Sequence, residues 1–370
     1  MEIIIILIIL LIIIIGVLIY KKFTSIKEDF TYYKCNKYQV GHILTNVFNK
    51  NNITKENDIN KSDIYIPCGY NFVEKELTTL KPKNKNQIIF GISGCDQIVS
   101  KNRLWEIIKD YYGRDTAKKI MPETWILTDN QEMKSFISQY NPNQIYILKK
   151  NVQRKEGLKL TKNLEEILRA KNENYRVVQK YHQDLYLINN RKVNLRIYLL
   201  VVCQNGKVQC YLHKLGKCIY TNKEYNDDDF DFESNITSYH LDMTVYQKNP
   251  YSFTQLRQYL RDNNKDDDKL FKEIDQIIYM TMKASQSNLC KLPNVYQNKT
   301  FQLFGLDIIF DKNMKPYLLE MNKGPDMLPR DETDEKMKYK VEQDIFDTVG
   351  MIDNNNIDNV NHDNEFYRIL

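Results

Sequence analysis

The sequence predicts an α+β fold, and three observations predict it. Its 370 residues suffice for two or three lobes. Short runs of β-branched and aromatic residues, joined by turns such as "INNRK" and "QNG", read as strands of sheets. Separate segments carry apolar stripes at helical spacing. Hydrophobic content of 42% and charged content of 27% are ordinary for a globular chain. The net charge of +5 is mild, and no basic stripe with interleaved aromatics occurs, so nucleic acid is not an expected partner.

In chain order, Ile3 to Tyr20 is an uninterrupted apolar stretch of 18 residues with one glycine. That is long enough to cross most of a hydrocarbon core. It lacks the basic start and small-residue cleavage site of a signal peptide. Lys21 and Lys22 follow it while Glu2 precedes it, so residues 1–22 are expected to be a single-pass membrane anchor with the folded body facing the cytoplasm. Residues 23–60, ending in "NKNNITKENDINKS", read as a polar tether. The body is expected from "DIYIPC" onward.

There "QIIFGIS" is a strand, and "NRLWEIIKDYYG" is a helix with Leu104, Trp105, Ile107, Ile108 and Tyr111 as its stripe and Gly113 as its stop. "QIYILKK" is a strand ending in two lysines, and "NLEEILRAK" is a short helix. "YRVVQKYH", "VNLRIYLLVVC" and "KVQCYLHKLG" are strands, and "NKEYNDDDFDFES" is a solvated acidic loop. "SFTQLRQYLRD" and "DDKLFKEIDQIIYMTMKAS" are amphipathic helices. "FQLFGLDIIFD" and "KPYLLEMN" form a hairpin, "DEKMKYKVEQDIFDTVGMI" is a closing helix, and residues 353–370 read as a disordered tail. The cysteines, Cys35, Cys68, Cys95, Cys203, Cys210, Cys218 and Cys290, contain no C-x-x-C pair and are expected as reduced, mostly buried thiols.

The hairpin carries the chemistry. Glu320 and Asn322 lie two apart on one strand and so share a face, beside which the partner strand can bring Asp307. Two carboxylates converging with an amide oxygen would repel unless a cation joined them, and hard oxygen ligands favour magnesium. Taken alone, the same residues also fit an ordinary turn and strand end. Lys149 closes an apolar strand where an ammonium can reach phosphate, and Arg196 lies among core residues where a charge needs a partner. The P-loop and the dinucleotide-binding glycine pattern are both absent.

From about Ser100 to Ile352 the chain resembles the tubulin tyrosine ligase and tubulin tyrosine ligase-like proteins, which are ATP-grasp amide ligases. The segments that carry the resemblance stand in one collinear order: "SKNRLWEII", "MPETWILTD", "YILKKNVQRKEGLKL", "VVQKYHQDLYLINNRKVNLRIYLLV" and "FGLDIIFDKNMKPYLLEMNKGP". The resemblance implies an ATP-grasp domain over 61–352, with an N-terminal lobe (61–125), a central lobe (126–190) and a C-terminal lobe (191–352). ATP would lie between antiparallel sheets.

Residue by residue, it implies that Lys149 and Lys101 contact phosphates. Gln179, Lys180, Tyr181 and His182 would border the adenine, Arg196 would face the phosphates or an acyl phosphate, and Asp307, Glu320 and Asn322 would hold magnesium, with Asp307 and Asn322 also beside the nucleotide. The implied activity is ATP-dependent joining of a free amino acid to a protein carboxylate, with tubulin the default acceptor and a monomer the expected state. The chain departs from the family pattern at Lys150, Lys155, Asn194, Ile219 and Ser238. An ATP-binding module that docks on tubulin or another acidic partner with weak catalysis is the alternative implied by these departures.

Overall fold

Period-two alternation in the strands builds two sheets. A computed structural model describes residues 30–35, 40–152, 157–226, 230–237, 242–351 and 364–370. The strands are β1 (Thr31–Lys34), β2 (Thr54–Lys55), β3 (Ile64–Ile66), β4 (Ile88–Phe90), β5 (Thr124–Ile126), β6 (Tyr146–Lys149), β7 (Leu158–Thr161), β8 (Val177–Lys180), β9 (Val193–Gln204), β10 (Lys207–Tyr220), β11 (Thr300–Phe310), β12 (Pro316–Lys323) and β13 (Phe366–Arg368). Nine of them form one sheet in the order β13-β10-β9-β11-β4-β3-β1-β2, with β12 pairing β11. β5, β8, β6 and β7 form a second, antiparallel sheet.

Every residue of β11 is buried: helices cover one face and the start of the other, and the small sheet stands across the cavity from Asp307 and Ile309. The alternation of β9 divides its side chains between two cores. Leu199, Val201 and Cys203 pack in the core that includes Leu256 and Ile274 of the helices Phe253–Asp262 and Asp267–Ser285. Tyr198, Leu200 and Val202 pack in the core with Val341 and Ile345 of the helix Glu332–Thr348. In the small sheet, Trp125, Tyr146 and Val178 pack against Phe136 and Ile167 from two helices, Asn130–Gln139 and Leu164–Arg169. The "QNG" turn forms because Asn205 (φ 51°) and Gly206 (φ 72°) both adopt the left-handed region that such hairpins require.

Several expectations are corrected. Residues 23–60 are not a simple tether. Among those described, β1, β2 and the helix His42–Lys50 belong to the body, because Ile43, Leu44, Val47 and Phe48 form an apolar stripe that is buried. Residues 353–370 are not wholly a disordered tail either, since β13 adds an antiparallel edge strand to β10. The lobe limits also change. β3 and β4 join the large sheet through β11, while β5 joins the small one, so 61–125 contributes to both layers. The acidic insert runs at its end into the short helix Phe232–Asn235, whose Ser234 and Asn235 are buried.

Four cysteines are not free thiols. Strand pairing brings Cys35 and Cys68 to a Cα separation of 5.5 Å, and Cys203 and Cys290 lie 6.3 Å apart; both pairs are disulfide-bonded. Cys95, Cys210 and Cys218 remain free and buried. The expected single-pass membrane placement is likewise withdrawn. No helix among the described residues is long and apolar enough to cross a membrane, and Ile3 to Tyr20, the segment behind that expectation, lies outside them.

Candidate functional site

Strand register sets four charged residues side by side. Glu320 on β12 lies opposite Asp307 on β11, Asp307 lies opposite Arg196 on β9, and Arg196 lies opposite Lys217 on β10. Directly opposed residues share a face, so two carboxylates and then two cations form one row across neighbouring strands. Asn322, two residues from Glu320, joins that face. The β11–β12 register shifts just after Asp307, where Ile308 pairs with Leu318, so Leu319 is an inserted residue next to Glu320. Gly305, opposite Asn322, leaves room for Arg196. A Cβ there would stand 2.9 Å from the Pro325 side chain and 3.2 Å from Arg196 Cδ.

The row borders a cavity of about 910 Å³ between the two sheets. Lys101, Lys149, Gln179, Lys180, Tyr181, His182, Arg196, Asp307, Glu320 and Asn322 all line it. The sequence expected a cation to join the carboxylates, and protein cations stand at them here. Arg196 donates from Nε to Asp307 Oδ1 at 2.7 Å and from Nη2 to Oδ2 at 3.3 Å. Lys101 Nζ lies 3.7 Å from Glu320 Oε2, and Asn322 Nδ2 donates to Glu320 Oε1 at 3.1 Å.

Burial raises the pKa of Asp307, with Arg196 opposing and Glu320 adding to the rise. Burial also acts against ionised Glu320, but Lys101, Lys149, Asn322 and Arg196 together hold it below the usual range. Lys149 is buried, and its pKa falls to about 8 by desolvation, against the attraction of Glu320. An anionic ligand would satisfy that ammonium.

The small sheet supplies the other wall. Gln179 donates to Thr124 Oγ1 at 2.7 Å, and Lys180 pairs with Glu123 at 2.8 Å. The Tyr181 hydroxyl donates to the carbonyl of Asn235, the residue just after the insert predicted as a solvated loop, at 2.8 Å, which braces this wall. Burial pushes the pKa of His182 down to about 4, keeping it neutral, and its ring lies 4.1 Å from that of Tyr317.

Sequence reasoning gave no role to Lys192, although a signal was present. Lys192, Asn194 and Arg196 alternate with Val193, Leu195 and Ile197, which places the polar residues on one face of β9 and its approach. Lys192 is buried, lies 3.3 Å from the Tyr181 hydroxyl and donates to the Asn235 carbonyl at 3.1 Å. Desolvation, with Lys149 nearby, lowers its pKa to about 7. Asn194 Oδ1 faces the same cavity, buried and without a hydrogen-bond partner among the described residues. Ile219 and Lys217 both line the cavity as well, whereas Lys155 and Ser238 lie outside the described residues.

The chain is 27% identical over 235 residues to a probable beta-tubulin polyglutamylase of Tetrahymena thermophila, covering 56% of this chain and 19% of that protein. It is 26% identical over 269 residues to the probable alpha-tubulin polyglutamylase Ttll1 of the same organism, covering 65% and 62%. It is 24% identical over 288 residues to the mouse tubulin monoglutamylase TTLL4, covering 72% and 24%. The chain thus spans from about a fifth to just over three fifths of the length of these relatives. Residues 79–358 match the profile described as the tubulin-tyrosine ligase family, and with most of its length so matched the chain belongs to that family.

Proposed function

We propose that this protein is an ATP- and magnesium-dependent ligase of ATP-grasp architecture that joins an amino acid, glutamate first among candidates, to a carboxylate of an acidic protein segment such as tubulin. The observation that carries this reading is the opposed pair Asp307–Glu320, with Asn322 on the same face and Lys149, Lys101 and Arg196 around it. Those three oxygen donors fit magnesium, which when bound would neutralise charge on phosphate oxygens. Family membership supports the ligase chemistry, and the three relatives, each named a tubulin glutamylase or polyglutamylase, favour glutamate and tubulin.

In the proposed reaction a carboxylate oxygen of the acceptor attacks the γ-phosphorus of ATP, and ADP leaves. The amine nitrogen of the amino acid then attacks the acyl carbon, phosphate leaves, and the nitrogen gives up its proton. Lys149 and Arg196 meet the negative charge that spreads over the transferring group. Lys192 and the unpartnered Asn194 oxygen add a donor and an acceptor for the nucleotide or the amine. Enclosure between the sheets keeps water from the activated acyl group.

Incubation of the full chain with ATP, magnesium, tubulin and labelled amino acids, followed by peptide mass spectrometry, tests the reading. A glutamyl adduct on an acidic peptide is the expected result. Stabilisation by Mg-ATP without any adduct would instead support the binding-module alternative.

A further inference from the structure

Lys323 carries a charge into the apolar side of its sheet. β12 alternates, so Glu320 and Asn322 face the cavity while Met321 and Lys323 face the helix-covered side. There Met321 and Phe304, the residue opposite Lys323 on β11, belong to the apolar core. The Lys323 side chain is 6% exposed and absent from the cavity lining, and an ammonium so placed needs a partner. Its acidic partner among the described residues is Asp96, in the helix Cys95–Val99. Glu74, Cys95 and Asp96 bring their ligand atoms within 4.8 Å of one another, and the Lys323 ammonium enters this cluster as its cation. The Asp96 backbone N–H donates to Glu74 Oε1 at 3.1 Å, which steadies the turn that carries the carboxylate.

Beyond Asp96 the same segment returns to the same strand from the other side. Ser100 is extended (φ −78°, ψ 125°) and ends the short helix, so the helix Lys101–Tyr112 starts in a new direction. Lys101 lines the cavity, and its Nζ lies 3.7 Å from Glu320 Oε2. Residues 96–101 therefore straddle the end of β12, with Asp96 on Lys323 behind it and Lys101 on Glu320 in front. The pair behind the strand lies outside the space a nucleotide would fill, so a ligand leaves it intact.

We infer that Asp96 and Lys323 are positioning residues for the ligase site: their ion pair anchors residues 96–101 to β12 and so holds the Lys101 ammonium at Glu320, where it meets the phosphates of the nucleotide. As a statement about catalysis this rests on the proposed ligase reading. Neither residue touches a substrate. The pair sets the spacing between a cation supplied by one segment and a carboxylate supplied by another. Without it the start of the helix Lys101–Tyr112 is free to withdraw while the oxygen donors of β12 stay in place.

The test uses the full chain as parent, with Asp96→Asn, Asp96→Glu, Lys101→Met and Asp96→Asn/Lys101→Met. The first readout is equilibrium binding of a non-hydrolysable ATP analogue with magnesium. Asp96→Asn is expected to raise the Kd by about tenfold, and Asp96→Glu, which keeps the charge at a half-exposed position, to restore most of the loss. The double variant should bind no more weakly than Lys101→Met, since the pair acts through Lys101, whereas a purely structural role would make the two effects add. Additive effects, or an unchanged Kd in Asp96→Asn, overturn the inference.

The second readout needs no nucleotide. Acetic anhydride labelling followed by peptide mass spectrometry should show Lys101, 12% exposed in the parent, reacting about threefold faster or more in Asp96→Asn, with the buried Lys149 and Lys192 unchanged. Equal acceleration of all three lysines reports general loosening and overturns the inference, as does an unchanged rate at Lys101. If Asp96→Asn fails to fold, Asp96→Asn/Lys323→Met, which removes both charges, replaces it with the same expectations. If the parent binds no analogue, the ligase reading fails, and the labelling rates alone decide whether the pair positions Lys101.

Discussion

Glu342 shows how one buried, unpaired charge acts on stability. It lies in the helix Glu332–Thr348, is buried, and its Oε2 has no hydrogen-bond partner among the described residues. Burial raises its pKa from 4.5 to about 7. A carboxyl group with a raised folded pKa binds more protons folded than unfolded, so stability falls as pH rises through that interval and then levels off. Its contribution is therefore most favourable below about pH 4.5 and is lost by about pH 7. Glu342→Gln removes the ionisation but keeps the shape. The variant should gain about 1–3 kcal/mol over the parent at pH 8 and little or nothing at pH 4.5, read by urea unfolding at both pH values. A difference that does not grow with pH would show that Glu342 finds a partner in solution. The residues of the site behave differently, because buried Asp307 and half-buried Glu320 and Arg196 each have a partner.

At the scale of elements, legibility followed the length and pattern of each segment. The hairpin of β11 and β12 could be read because Asp307, Glu320 and Asn322 sit in long strands whose alternation fixes their faces. The bulge at Leu319 could not be read, since it shows only as a shift in register. The polar row Lys192, Asn194 and Arg196 was visible as alternation, but the place of Lys217 beside it required knowing which residue of β10 lies opposite Arg196. Residues 31–55 were misjudged because two short strands and one helix are diluted by Asn, Lys and Thr, and tertiary packing decides their state.

Phe48 tests that correction. It is 1% exposed, lies 5.1 Å from Phe346 and 4.6 Å from Tyr32 between ring centroids, and joins the helix His42–Lys50 to the helix Glu332–Thr348. Phe48→Ala should destabilise the protein by about 3–5 kcal/mol, as a buried phenylalanine does when truncated. A loss below about 0.5 kcal/mol in chemical denaturation would restore the tether description.

For the whole molecule, the site exists only where two sheets meet. Lys149 comes from the end of β6 in the small sheet, whereas Glu320 comes from β12 in the large one, and Lys101 from a helix start between them. The helix of Lys101 shares the core of β12, whereas β6 packs in the cores of the small sheet, so bound nucleotide would add contacts between layers that the apo protein lacks. Ligand-induced stability scales as RT ln(1 + [L]/Kd), about 2.7 kcal/mol at a hundred times Kd, and a tenfold loss of affinity removes about 1.4 kcal/mol of it. Glu320→Gln should therefore shrink the stabilisation given by Mg-ATP. The apo variant should melt at or slightly below the parent temperature at neutral pH. The reason is that Lys101 and Lys149 hold the Glu320 pKa below its usual value, so its ionised form stabilises the fold above pH 4.5. Lys149→Ala should also weaken the nucleotide response, by removing a phosphate partner, while relieving a desolvated ammonium in the apo state. Titrating magnesium separates the two variants. The Glu320→Gln deficit should narrow as magnesium is raised at fixed ATP, and the Lys149→Ala deficit should persist. Deficits of equal magnesium dependence, or an undiminished Mg-ATP response in Glu320→Gln, would remove Glu320 from the metal site.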